Sequence, residues 1–257
     1  MSKHKRKKRF PEILLVISAL FLGALIVILV YQTRNKATYT GAEGGANRNL
    51  SGSFPLPSEL VESDKITYFA YTEVPDIIFR KMEGVSYKDD CPVSREDLRY
   101  LKVLYWGTDG KPHQGEMIVN LAIAPDLVNV FYDLYKASYP IQSIELIDTY
   151  GGNDEVSMAN NNTSCFNTRK VQGADEWSLH AYGLAVDLNP LYNPYVGSDG
   201  TVLPVAASPY ADRDNNFVMK INTDDYAYTV FQKYGFTWGG SWESVKDYQH
   251  FEKNPYE

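Results

Sequence analysis

The stretch Ser178-Leu-His-Ala-Tyr-Gly-Leu-Ala-Val-Asp187 decides the fold. Leu184, Val186 and Leu188 alternate with Ala185 and Asp187, the period-2 pattern of a strand whose aliphatic residues fill one face. Asp187 then shares the opposite face with Ala185. His180 stands seven residues before Asp187, which does not fit one helical face at four-residue spacing. A turn through Gly183 feeding the strand fits instead, with the glycine letting the backbone pass close to a metal or a substrate.

Near the C-terminus, Asp247-Tyr-Gln-His250 supplies a second histidine and a second carboxylate. His180, Asp187 and His250 together are the ligand set of an open zinc site: three protein ligands and one position left for water or substrate. Imidazole nitrogens beside a carboxylate favour zinc over calcium, which takes oxygen ligands throughout. Asp247 is then free to act as general base toward an attacking water. The chain has four histidines, and two stand in these motifs. His113 follows a turn, and a fourth protein ligand would close the site, so it reads as a supporting or sheet-edge residue.

Outward from this stretch, the pattern is mixed. Leu101 to Trp106 and Glu116 to Ile123 read as strands joined across Thr108-Asp109-Gly110. Pro125 opens a helix with Leu127, Val130, Phe131 and Leu134 on one face. Ile141 to Ile147 is a short apolar strand, and Gly151 to Gly173 an ordered loop or short helical turns. A helix from Thr223 to Tyr234 stops at Gly235, and Phe236–Trp238 and Tyr248–Glu252 read as closing strands. Strands and helices do not alternate regularly. The fold class is therefore α+β, a small mostly antiparallel sheet with flanking helices.

The N-terminus sets the compartment. Lys3, Lys5, Arg6, Lys7, Lys8 and Arg9 precede Ile13 to Val30, eighteen residues without a charge. A transmembrane helix needs roughly 20 apolar residues, and cationic flanks stay cytoplasmic. The expected plan is a basic tail at 1–12, a signal-anchor at 13–31, a Gly/Ser/Asn-rich extracytoplasmic stalk at 32–60 and a globular domain at 61–257. A long cleaved signal peptide is the alternative. Residues 1–36 carry a net charge of +7 and the remainder −14, so the exported part has no footprint for nucleic acid. Cys91 and Cys165 are the two cysteines, and in an exported chain an even count suggests one disulfide. Two separate buried thiols are the alternative.

The string Ser178-x-His180-x-x-Gly183-x-Ala185-x-Asp187, followed by Asp247-x-x-His250, resembles the M15 zinc peptidases, among them D-alanyl-D-alanine carboxypeptidases and L-alanyl–D-glutamate endopeptidases. Similar segments run from about Cys91 to Glu252, including Phe166-Asn-Thr-Arg169 and Gly235-Phe-Thr-Trp238-Gly-Gly-Ser-Trp242. The resemblance implies a hedgehog/DD-peptidase-like fold, zinc on His180, Asp187 and His250, and a catalytic carboxylate at Asp247. Family members with Asp in that place lean toward the L-Ala–D-Glu endopeptidases, and those with Glu toward carboxypeptidases. The family also uses a cation to hold the scissile carbonyl. Asp148-Thr-Tyr-Gly-Gly152 lacks the arginine expected there, which leaves Arg169 as the substitute or as a plain salt-bridge residue. Ser178 either contacts a substrate carboxylate, orients His180 or caps a turn. Trp238 and Trp242 either wall a cleft near His250, with Trp238 as a substrate contact, or pack in the core. The resemblance implies a peptidoglycan stem peptide as substrate, met outside a bacterial membrane.

Overall fold

A computed structural model describes residues 65 and 67–256, within one compact unit, Ser53–Glu257. The expected tail, anchor and stalk lie outside the described residues. Among the described residues no helix is long and apolar enough to cross a membrane.

The first half runs β1 (Ala70–Glu73), α1 (Asp76–Met82), β2 (Leu98–Trp106), β3 (Pro112–Asn120) and α2 (Ala124–Lys136). It continues with β4 (Ser143–Ile144), α3 (Asp154–Ala159) and β5 (Asn162–Thr163). The second half holds β6 (Ala185–Asp187), β7 (Tyr195–Val196), β8 (Val202–Leu203) and α4 (Tyr226–Lys233), then β9 (Thr237–Trp238), β10 (Lys246–Asp247) and β11 (His250–Glu252).

The frame is the β2–β3 hairpin, paired from Leu98 opposite Asn120 to Trp106 opposite Pro112. Its turn uses Gly110 at φ 71°, a left-handed conformation that glycine adopts without strain. β1 adds antiparallel to β2. Both faces of this sheet are apolar because both are covered. Met117 and Val119 join Leu127, Val130, Phe131 and Leu134 of α2 in the larger cluster. Ile118, between them, points the other way and packs with Ile78 and Met82 of α1. The helical face read from the sequence is the buried one, with Pro125 in the first turn.

The second half forms three smaller sheets. β6, β11 and β9 are antiparallel in the order β6-β11-β9, and β10, β7 and β8 in the order β10-β7-β8. β4 and β5 make a two-stranded parallel pair. Largely antiparallel pairing therefore holds, but the single sheet expected is divided into four. Asn189-Pro190, Asn193-Pro194, Gly197 and Gly200 interrupt the chain too often for longer strands. The expected strand at 141–147 shrinks to Ser143–Ile144, because a 3-10 turn begins at Ile147. α4 starts at Tyr226, where the Asp225 carboxylate accepts the Ala227 N–H, and Gly235 at φ 81° ends it.

The disulfide expected between Cys91 and Cys165 is not formed; both are free thiols. Cys165 is buried in the larger cluster, whereas Cys91 packs against the smaller one.

Candidate metal centre and active-site cleft

The β6-β11-β9 sheet builds the site through its register. His250 stands opposite Asp187, Phe251 opposite Val186, and Glu252 opposite Ala185. Because side chains alternate, Ala185, Asp187, His250 and Glu252 share one face. Val186 and Phe251 share the other, where Phe251 stacks on Phe231 of α4 at 4.1 Å. Burying each such aromatic is worth roughly 1.5–3 kcal/mol, so the core face anchors the chemical one.

His180 reaches the same place from a 3-10 turn, Leu179–Tyr182, that Gly183 ends at φ 69°. A Cβ at Gly183 would come within 2.8 Å of the Asn120 backbone nitrogen. The glycine is thus needed for contact with β3, where Asn120 N–H donates to Gly183 O at 2.8 Å. This corrects the expectation that it clears space for a metal or substrate.

The ring nitrogens are sorted by their outer partners. His180 Nδ1 lies 2.6 Å from the Cys165 carbonyl oxygen and donates to it, leaving Nε2 with a free lone pair. His250 Nε2 lies 2.9 Å from Glu252 Oε2, leaving Nδ1 to face inward. The inward nitrogens are 3.2 Å apart, and each lies 3.2 Å from an oxygen of Asp187. His180, Asp187 and His250 are buried, and their donor atoms lie within 4.8 Å of one another. Two imidazoles and a carboxylate converging out of water could hold a metal ion, and this donor set is of the kind that suits zinc.

Electrostatics follow from the same contacts. Burial opposes ionisation of Asp187, but the His180 and His250 imidazoles outweigh it and hold the carboxyl well below the usual range. Burial likewise opposes a charged His250, yet Asp187 and Glu252 lift its imidazole to about 10. Asp247 lies with Oδ2 4.0 Å from His250 Nδ1. Burial pushes its carboxyl up to about 6, with His250 pulling the other way. Gly239 makes this packing possible, since a Cβ there would meet Asp247 O at 2.7 Å and Asp247 Cβ at 2.9 Å.

These residues line a cleft of about 500 Å³ that also includes Arg169, Ser178 and Trp242. Arg169 is both a cleft residue and an ion-pair residue, with Nε held by Asp154. Asn167 Nδ2 braces that carboxylate from its other oxygen at 2.8 Å. Ser178 Oγ accepts the His180 N–H at 3.3 Å, so it caps the turn that carries His180. Trp238 is a correction: it does not line the cleft. It pairs with Phe251 across β9 and β11, which puts it on the core face, and its Nε1 donates to Tyr248 O at 2.9 Å. Trp242 lines the cleft instead, its ring centroid 5.3 Å from that of His250. His113 lies outside the cleft, paired with Asp109 at 2.9 Å and stacked on Tyr105.

Sequence reasoning missed Glu252 and the Cys165 carbonyl. The signal for Glu252 was available, since an acidic residue two places after a strand histidine shares its face. The carbonyl had none, because a backbone acceptor leaves no mark on residue type.

Residues 172–253 match the family model described as D-alanyl-D-alanine carboxypeptidase, which supports an M15 family peptidase and agrees with the resemblance. No curated protein and no solved structure matches the chain.

Proposed function

We propose that the chain is a zinc-dependent peptidase that hydrolyses an internal amide of peptidoglycan stem peptides, of the L-Ala–D-Glu type. The observation that carries this is the convergence of His180 Nε2, His250 Nδ1 and Asp187 in the cleft, with Asp247 4.0 Å from His250. His180, Asp187 and His250 would hold the zinc, which when bound would supply a Lewis acid for the scissile carbonyl and for water. Asp247 takes the proton of the attacking water and hands it to the leaving amine. Arg169, its Nε fixed by Asp154, directs its remaining N–H donors at the carbonyl oxygen as charge develops there.

Two features favour an internal bond. Asp rather than Glu stands at 247. The cations among the described cleft residues are also paired: Arg169 with Asp154, and Lys170 with Asp175 and the Trp177 ring. A substrate's terminal carboxylate would meet little uncompensated positive charge there. A D-alanyl-D-alanine carboxypeptidase is the second reading, favoured by the description of the matching family. A wall-binding module without turnover would not need Asp247 beside a complete ligand set. We place the domain at 61–257 outside the cell, tethered by 13–31, where the wall is within reach.

Mass spectrometry of muropeptides incubated with the protein, with and without zinc, tests this. Zinc-dependent separation of L-Ala from the D-Glu-containing peptide is the expected result. Loss of one terminal D-Ala would establish the carboxypeptidase instead, and no zinc-dependent product would reject both.

A further inference from the structure

We infer that Glu252 is a positioning residue that sets which nitrogen of His250 is offered to a metal. The inference rests on the metal reading above and adds a residue to it. β11 is the middle strand of its sheet, paired on both edges, so its backbone is fixed from both sides. His250 and Glu252 are two apart on that strand, which places both side chains on the face away from Phe251. Glu252 stands opposite Ala185, whose methyl leaves the carboxylate room to lean along the strand toward His250. The outcome is the 2.9 Å contact between Glu252 Oε2 and His250 Nε2.

A carboxylate only accepts, so Nε2 carries a proton, and when a cation is seated among the inward donors it is Nδ1 that gives up its own and offers a lone pair. The contact therefore chooses the tautomer and holds the ring plane at once. Without Glu252, the imidazole can place its proton on Nδ1, against Asp187 and His180 Nε2, where a ligand lone pair belongs. The ring would also lose the one polar contact on its outer nitrogen. His180 has the same device in another form, a backbone carbonyl at Nδ1. That acceptor survives any side-chain substitution, whereas Glu252 is the one of the pair open to mutation.

The test is zinc affinity of the metal-stripped full-length chain, read by competition with a chromophoric chelator and needing no substrate. Outer partners of this kind typically contribute about 10–100-fold in metal affinity. Glu252→Ala is expected to weaken zinc binding by about that factor. Glu252→Gln keeps an acceptor oxygen in place and is expected to recover most of the loss. Loss of the Glu252–His250 pair is expected to lower the metal-free unfolding midpoint of Glu252→Ala, and a transition that stays cooperative in both variants separates positioning from loss of the fold. Wild-type affinity in Glu252→Ala overturns the inference, as does a Glu252→Gln variant as weak as the alanine one. A wild-type chain that takes up no zinc sinks the metal reading and this inference together. One that binds zinc with the expected variant pattern but cleaves no stem peptide leaves Glu252 assigned and rejects only the peptidase reading.

Discussion

Asp247 owes its chemistry to burial beside a group of ligands rather than to its own residue type. A general base must be ionised to accept a proton, and burial raises this carboxyl to about 6. Activity is therefore expected to fall as pH drops through the acid limb and to rise as the carboxyl ionises. A divalent cation beside Asp187 would work against that rise, so the limb of kcat/KM should lie at or below pH 6. A pH–rate profile checks this, and a limb well above that value would assign the base elsewhere. At this scale much was legible in the sequence. His180, Asp187, His250 and Asp247 announce themselves by type and spacing, and the structure brings them together. Trp238 and Trp242 were not separable, because both flank the same glycines and only the pairing of β9 with β11 puts Trp238 on the core face.

Elements explain where such inference stops. The alternation of Leu184, Val186 and Leu188 marks a strand, but its partner lies more than sixty residues away at His250. Register across that gap is a long-range choice with no local pattern to reveal it. Short strands are also masked when glycine, proline and asparagine surround them, as at β7 and β8, and β10 is a two-residue strand that the sequence did not disclose either. Gly183 shows the reverse case, a position legible as special whose reason the sequence misassigns. Its φ of 69° and the 2.8 Å that would separate an added methyl group from Asn120 N make alanine costly. Gly183→Ala is expected to destabilise the domain by about 2 kcal/mol or more. Denaturant unfolding at unchanged slope checks this, and a midpoint equal to wild type would refute the tight contact with β3.

For the molecule as a whole, two apolar clusters on the faces of one hairpin stabilise the described unit, and the small sheets of the second half carry the chemistry on that base. Cys91 and Cys165 are free thiols in this unit. A thiol-specific chromogenic reagent should count two thiols per chain in denaturant without reductant, and none if the cysteines are bridged. Composition suggested the bridge because an exported chain permits it, and only the fold shows both thiols free. The overall α+β class was legible, since helical and strand periodicities occur without regular alternation, while the division into four sheets depended on pairings invisible to composition. The central claim is that His180, Asp187 and His250 hold zinc while Asp247 moves the proton. Zinc content and stem-peptide cleavage measured side by side in Asp247→Ala test it most directly. The account predicts one zinc per chain with cleavage abolished; cleavage that survives the substitution, or zinc lost with it, would contradict that division of labour.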